Sequence, residues 1–62
     1  MLEKLKYFKQ IAERGAGLER TEHWQLASVE WEKAAAYAKK QANLDWAQCR
    51  AEVCRRRISS ET

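Results

Sequence analysis

The stretch Trp24-x-x-Ala27-x-x-x-Trp31-x-x-Ala34-x-x-x-Ala38 decides the fold of this chain. Its steps of 3, 4, 3 and 4 put all five residues on one face of an amphipathic helix. Large tryptophans alternate with alanines along that face, so a neighbouring helix can sit close beside each alanine. The pattern predicts a helix over residues 22–40. Thr21 is placed to cap its start, with Glu22 in the first turn at the positive end of the helix dipole. Lys39 and Lys40 suit its last turn.

Working outward, the preceding segment predicts a helix over residues 2–19. Leu5, Phe8, Ala12 and Ala16 form one apolar face, and Tyr7, Ile11 and Leu18 form a second stripe, so this helix packs on two sides. Gly15 and Gly17 interrupt it, each at a cost of about 1 kcal/mol relative to alanine. Because Ala16, Leu18 and Glu19 continue the helical pattern, Gly15 is read as a point where another helix comes close. On the other side, Asn43 is expected to cap a third helix over 44–58, with Asp45 in its first turn, and residues 59–62 are expected to fray. Trp46, Cys49 and Val53 make one stripe there, and Ala47, Ala51, Cys54 and Ile58 a neighbouring one. The merged apolar arc contains Arg50.

The chain has no proline, two glycines and few β-branched residues, and strong helix formers fill most positions. The expectation is a single all-α domain of three amphipathic helices: an antiparallel helix hairpin with a third helix packed on it. At 62 residues the core is small, so a second copy or a partner is expected to complete it, most simply as a dimer. A net charge of +3 from twelve basic and nine acidic residues is a mixed surface, not a polyanion-binding one. No apolar run approaches a membrane span, and the first nine residues are too polar for a signal peptide. A cytoplasmic location with reduced Cys49 and Cys54 is expected. There are no paired carboxylates with a plausible cleft, no glycine-rich phosphate loop and no nucleophile beside a base, which excludes an enzyme. His23, Cys49 and Cys54 lack the short ligand spacings of a zinc site, so neither metal nor cofactor is expected.

Gly15, Leu18, Trp24, Ala27, Trp31 and Ala34 sit at the spacing of the small and bulky positions of a tetratricopeptide repeat, although the closing proline is missing. A sharper likeness lies in Trp24-x-x-Ala27-x-x-x-Trp31-x-x-Ala34-Ala35-x-x-Ala38 followed by Asn43-x-x-Trp46-x-x-x-Arg50-x-x-x-Cys54. With Leu18-Glu19-Arg20 upstream, this resembles the ANR family of small negative regulators of AraC/XylS-type transcription activators, from about Tyr7 to Arg57. The resemblance implies a repressor of transcription that acts as an anti-activator. Such a chain binds the activator by protein–protein interaction, blocks its dimerisation or DNA binding, and lowers virulence gene expression.

Phe8, Ala12, Trp24, Ala27, Trp31, Ala34, Ala38, Trp46, Val53 and Cys54 are expected in the core. Leu26, Val29, Glu30, Tyr37, Arg50 and Arg57 are the candidates for partner binding. Arg50 has two readings, because a guanidinium in an apolar arc needs an acceptor. It either pairs within the chain, with Glu19, Glu30 or another carboxylate, or makes a charge-assisted bond across an interface. The alternative function is a small basic helical regulator that binds DNA or a nucleoid protein. Direct DNA binding is not expected, since Arg55, Arg56 and Arg57 lie late in helix three, whereas recognition helices read bases with their N-terminal part.

Overall fold

A computed structural model describes residues 2–61, with side chains from Lys6 to Ser60. Three helices follow in order: α1 (Leu2–Arg20), α2 (Trp24–Tyr37) and α3 (Gln41–Glu61). The chain is all-α. α2 packs against both other helices and forms the middle of the array. Ring contacts give the directions: Tyr7 meets Tyr37 and Gly15 meets Trp31, so α1 and α2 run antiparallel. Trp46 meets Trp31 and Arg57 lies over Trp24, so α3 runs antiparallel to α2.

The core follows from the alternation of large and small residues on α2. Trp31 is fully buried, flanked by buried Ala27 and Ala34 on its own helix. Phe8, Ile11 and Ala12 reach it from α1, and Ala47, Ala51 and Cys54 from α3. Gly15 is the closest point of approach: a Cβ there would stand 2.8 Å from Cε2 of Trp31. The α1 backbone therefore lies flat against the indole, as the sequence pattern suggested. Gly17 has no such neighbour; a Cβ there meets only the Arg20 guanidinium at 3.7 Å.

The helix boundaries differ from the expected ones. Thr21 does not cap α2, because it closes α1 instead. The His23 amide donates to the Leu18 carbonyl at 2.8 Å and the Glu22 amide to Glu19 at 3.0 Å, a Schellman closure. The Thr21 hydroxyl lies 3.2 Å from the carbonyls of Gly17 and Leu18, satisfying the same helix end. Glu22 occupies the left-handed position at φ 61°, where glycine would be unstrained. α2 thus starts two residues late, with His23 as a cap whose side chain bonds no helix amide and meets the Thr21 hydroxyl at 2.8 Å instead. It also stops early: Ala38 turns extended at ψ 129°, although alanines and lysines would sustain a helix to residue 40. Packing overrides propensity here, since the chain must reverse before Trp46 can return across Trp31. α3 begins at Gln41, before the expected Asn43 cap, with the Lys40 carbonyl accepting the Leu44 amide at 3.0 Å. Residues 59–61, expected to fray, remain helical, and Ser60 bonds the Arg56 carbonyl at 3.1 Å.

The two glycines respond oppositely to the same substitution. Gly15→Ala forces a methyl into the Trp31 ring and costs about 1–3 kcal/mol in spite of better helix propensity. Gly17→Ala meets no obstacle and gains up to about 1 kcal/mol. Thermal melts followed by circular dichroism should order the variants Gly17→Ala, parent, Gly15→Ala, with steps of about 4–8 °C per kcal/mol. Equal melting of Gly15→Ala and parent would contradict the close approach.

Candidate functional site

One carboxylate ties the three helices together. Glu19, at the end of α1, accepts a hydrogen bond from Trp31 Nε1 of α2 at 2.6 Å. The same Oε2 accepts from Arg50 Nε of α3 at 3.2 Å, and Oε1 receives Arg50 Nη2. The result is a two-pronged guanidinium–carboxylate pair with an indole donor added. Glu19 is well shielded, with 12% of its side chain exposed. The hydrogen bonds to Glu19 hold the Arg50 guanidinium above its ordinary pKa. Cys54 lies buried close by, and burial followed by the charge of Glu19 pushes its thiol up, leaving it protonated and unreactive. Arg50, a candidate for partner binding, is thus committed to an internal pair.

The other candidates fall on different sides of the molecule. Leu26, Val29 and Tyr37 are exposed on the solvent face of α2, away from Trp31, and Tyr7 of α1 joins them through Tyr37 with ring centroids 5.7 Å apart. Glu30 sits at the edge of this face. Its Oε1 lies 3.7 Å from Lys33 Nζ, while its Oε2 is buried with no hydrogen-bond partner. Arg57 lies on α3, with its guanidinium 5.4 Å from the centre of the Trp24 ring. No single patch contains the whole set.

The expected core also needs correcting. Phe8, Ala12, Ala27, Trp31, Ala34 and Cys54 are buried, while Trp24, Ala38 and Val53 are partly buried. Trp46 is 49% exposed. It packs edge-on against Trp31 at 5.0 Å and beside Phe8 at 6.1 Å, but its outer face is left open. The cause is the arrangement of the helices: α1 and α3 flank α2 without closing over it, so a groove remains between them. This groove of about 410 Å³ is lined by Phe8, Ala12, Ala16 and Trp46, with Lys9, Glu13 and Asn43 at its rim. The spacing of Trp46 alone could show only that it faces inward. That no helix covers it depends on how α1 and α3 diverge.

No group of three or more metal-ligating side chains occurs among the described residues, and no described helix is long and apolar enough to cross a membrane.

Glu19→Ala strips the acceptor from a buried indole and a guanidinium together, and should cost about 2–4 kcal/mol. Arg50→Ala leaves the Trp31 bond in place and removes a partly exposed group, so about 1–2 kcal/mol is expected. Urea midpoints should rank parent, Arg50→Ala, Glu19→Ala; the reverse order of the two variants would show that Glu19 is not the shared acceptor. Comparisons with protein-family models, curated proteins and solved structures find no match for this chain, which leaves the geometry above to carry the functional reading.

Proposed function

We propose that this chain is a cytoplasmic anti-activator that binds an AraC/XylS-type transcription activator and blocks its dimerisation or DNA binding, so that virulence gene expression falls. The observation that carries the reading is the half-exposed Trp46 in an open apolar groove. A rigidly backed tryptophan beside small side chains is the usual anchor of a protein interface. Ala12 and Ala16 on the opposite wall let a helix of the activator approach closely. Asn43, Trp46, Arg50, Val53 and Arg57 recur at steps of 3, 4, 3 and 4, so they share one edge of α3. Three of them belong to the pattern that resembles the ANR family. The mechanism is occlusion: the groove takes a helix that the activator needs for its own assembly.

The alternative, a basic DNA-binding helix, gains little support from the arginine run. Arg55 pairs with Glu32 at 2.6 Å and with Glu52 at 3.2 Å, and Arg56 lies 3.9 Å from Glu52. Part of the positive charge that would meet phosphates is therefore neutralised within the molecule.

Co-expression of the tagged chain with an AraC-type activator should yield a complex on affinity purification. Trp46→Ala should weaken capture at least about tenfold, as expected for a central anchor. Because Trp46 also touches Trp31, helicity and melting are measured alongside, and Arg57→Glu on the exposed edge serves as a second variant. A folded chain that captures no such activator, or that shifts duplex DNA with sequence preference, would overturn the proposal.

A further inference from the structure

Four of the five exposed large apolar side chains among the described residues, Tyr7, Leu26, Val29 and Tyr37, lie away from the groove, on the side formed by α2 and the adjoining edge of α1. This face is independent of Trp46 and is left over when the groove is assigned to the activator. Its charges carry information about what covers it. Lys33 lies midway along the face and Glu30 beside it at the edge, while Glu22 sits just before α2 and Lys39 and Lys40 just after it. Acid at one end and base at the other, with one of each sign at the centre, is a pattern that complements its own reversed copy.

We propose that α2 docks antiparallel on α2 of a second copy, about a two-fold axis passing between Trp31 and Glu32. That register sets Leu26 against Tyr37 of the second copy, and Glu30 against Lys33 of the second copy, each twice by symmetry. Val29 falls between Lys33 and Ala36 of the second copy. The acidic start of each α2 meets the basic end of the other, and the two helix dipoles oppose. Glu30 is suited to the contact, because its Oε1 is held only loosely, 3.7 Å from Lys33 Nζ of its own chain, and a lysine arriving from across the interface adds a second cation.

The surface area agrees with a modest interface. The chain exposes 4620 Å², against about 4,200 Å² expected for a compact monomer of this mass. An excess of about 400 Å² per chain, shared between this face and the open groove, is less than the about 800 Å² that a standard interface buries on each partner, so the dimer is a weak one. This inference goes beyond the anti-activator reading by naming the surface and register through which the chain self-associates, leaving the groove free.

The test is a charge swap read by sedimentation equilibrium. Glu30→Lys places two lysines against two at the centre of the interface, and Lys33→Glu places two carboxylates against two. Each variant alone should dimerise about tenfold more weakly than the parent, and an equimolar mixture should recover the parent's affinity through a heterodimer. Leu26→Asp, at a position 56% exposed, should remove dimerisation without loss of helicity and stands in should Glu30→Lys fail to fold. A parent that stays monomeric to about 1 mM, charge variants that dimerise unchanged, a mixture without recovery, or a dimer lost only on Trp46→Ala would each overturn the proposal. Activator capture by the same variants separates the two ideas. Monomeric variants that still capture the activator leave the anti-activator reading intact, and dimeric variants that capture nothing strike that reading alone.

Discussion

The rest of the structure depends on one carboxylate serving two donors from two other helices. α1 and α3 meet mainly through side chains, so the Glu19–Arg50 pair fixes the angle at which they flank α2. Trp31 takes part in this from the inside, since its indole nitrogen must find an acceptor once the ring is buried. The ring can be buried only because Gly15 lets α1 lie flat on it. Gly15, Glu19, Trp31 and Arg50 therefore form a single unit, and a change at any one alters the surroundings of the other three.

That unit explains why a small chain can hold a groove open. A three-helix bundle usually closes, with each helix touching the other two, and its core is then sealed. Here the polar clasp sits near the C-terminal end of α1 and the middle of α3, while the groove lies toward the N-terminal ends of both helices. The helices are joined by the ion pair at the clasp, and at the groove they meet through the Phe8 and Trp46 rings. Trp46 stands at the opening, backed by Trp31 and Phe8, and has little freedom left to lose on binding. Preorganisation of this kind favours association, because less side-chain entropy is given up when the partner arrives.

The alternation of tryptophan and alanine from Trp24 to Ala38 was legible in the sequence, and with it the fold class, the buried face of α2 and the close approach at Gly15. Arg50 could be recognised as needing an acceptor, and Glu19 stood among the carboxylates within reach. The helix ends were not legible, for physical reasons. Thr21 has the chemistry of an N-cap, but the same hydroxyl can close the preceding helix, and only the positive φ of Glu22 shows which role it takes. The turn after Tyr37 contains no breaker residue at all; it exists because α3 must return over α2. Periodicity also says which way a side chain faces, never whether another helix covers it. Trp46 and the outer face of α2 were opaque on that account.

Charge distribution, more than net charge, distinguishes the readings of this surface. A net charge of +3 does not show which of the twelve basic residues stand free and which are paired. In the folded chain Arg50, Arg55 and Arg56 each lie within 4 Å of a glutamate, so much of the positive charge on α3 is used in holding or decorating the fold. Arg57 lies over an aromatic ring, which shields one face of its guanidinium. A phosphate backbone would have to compete with these carboxylates for each arginine, at a cost that rises with their burial. An apolar helix entering the groove faces no such competition, since Phe8, Ala12, Ala16 and Trp46 have only water to give up. The balance of desolvation therefore favours a protein partner on the groove side of this molecule.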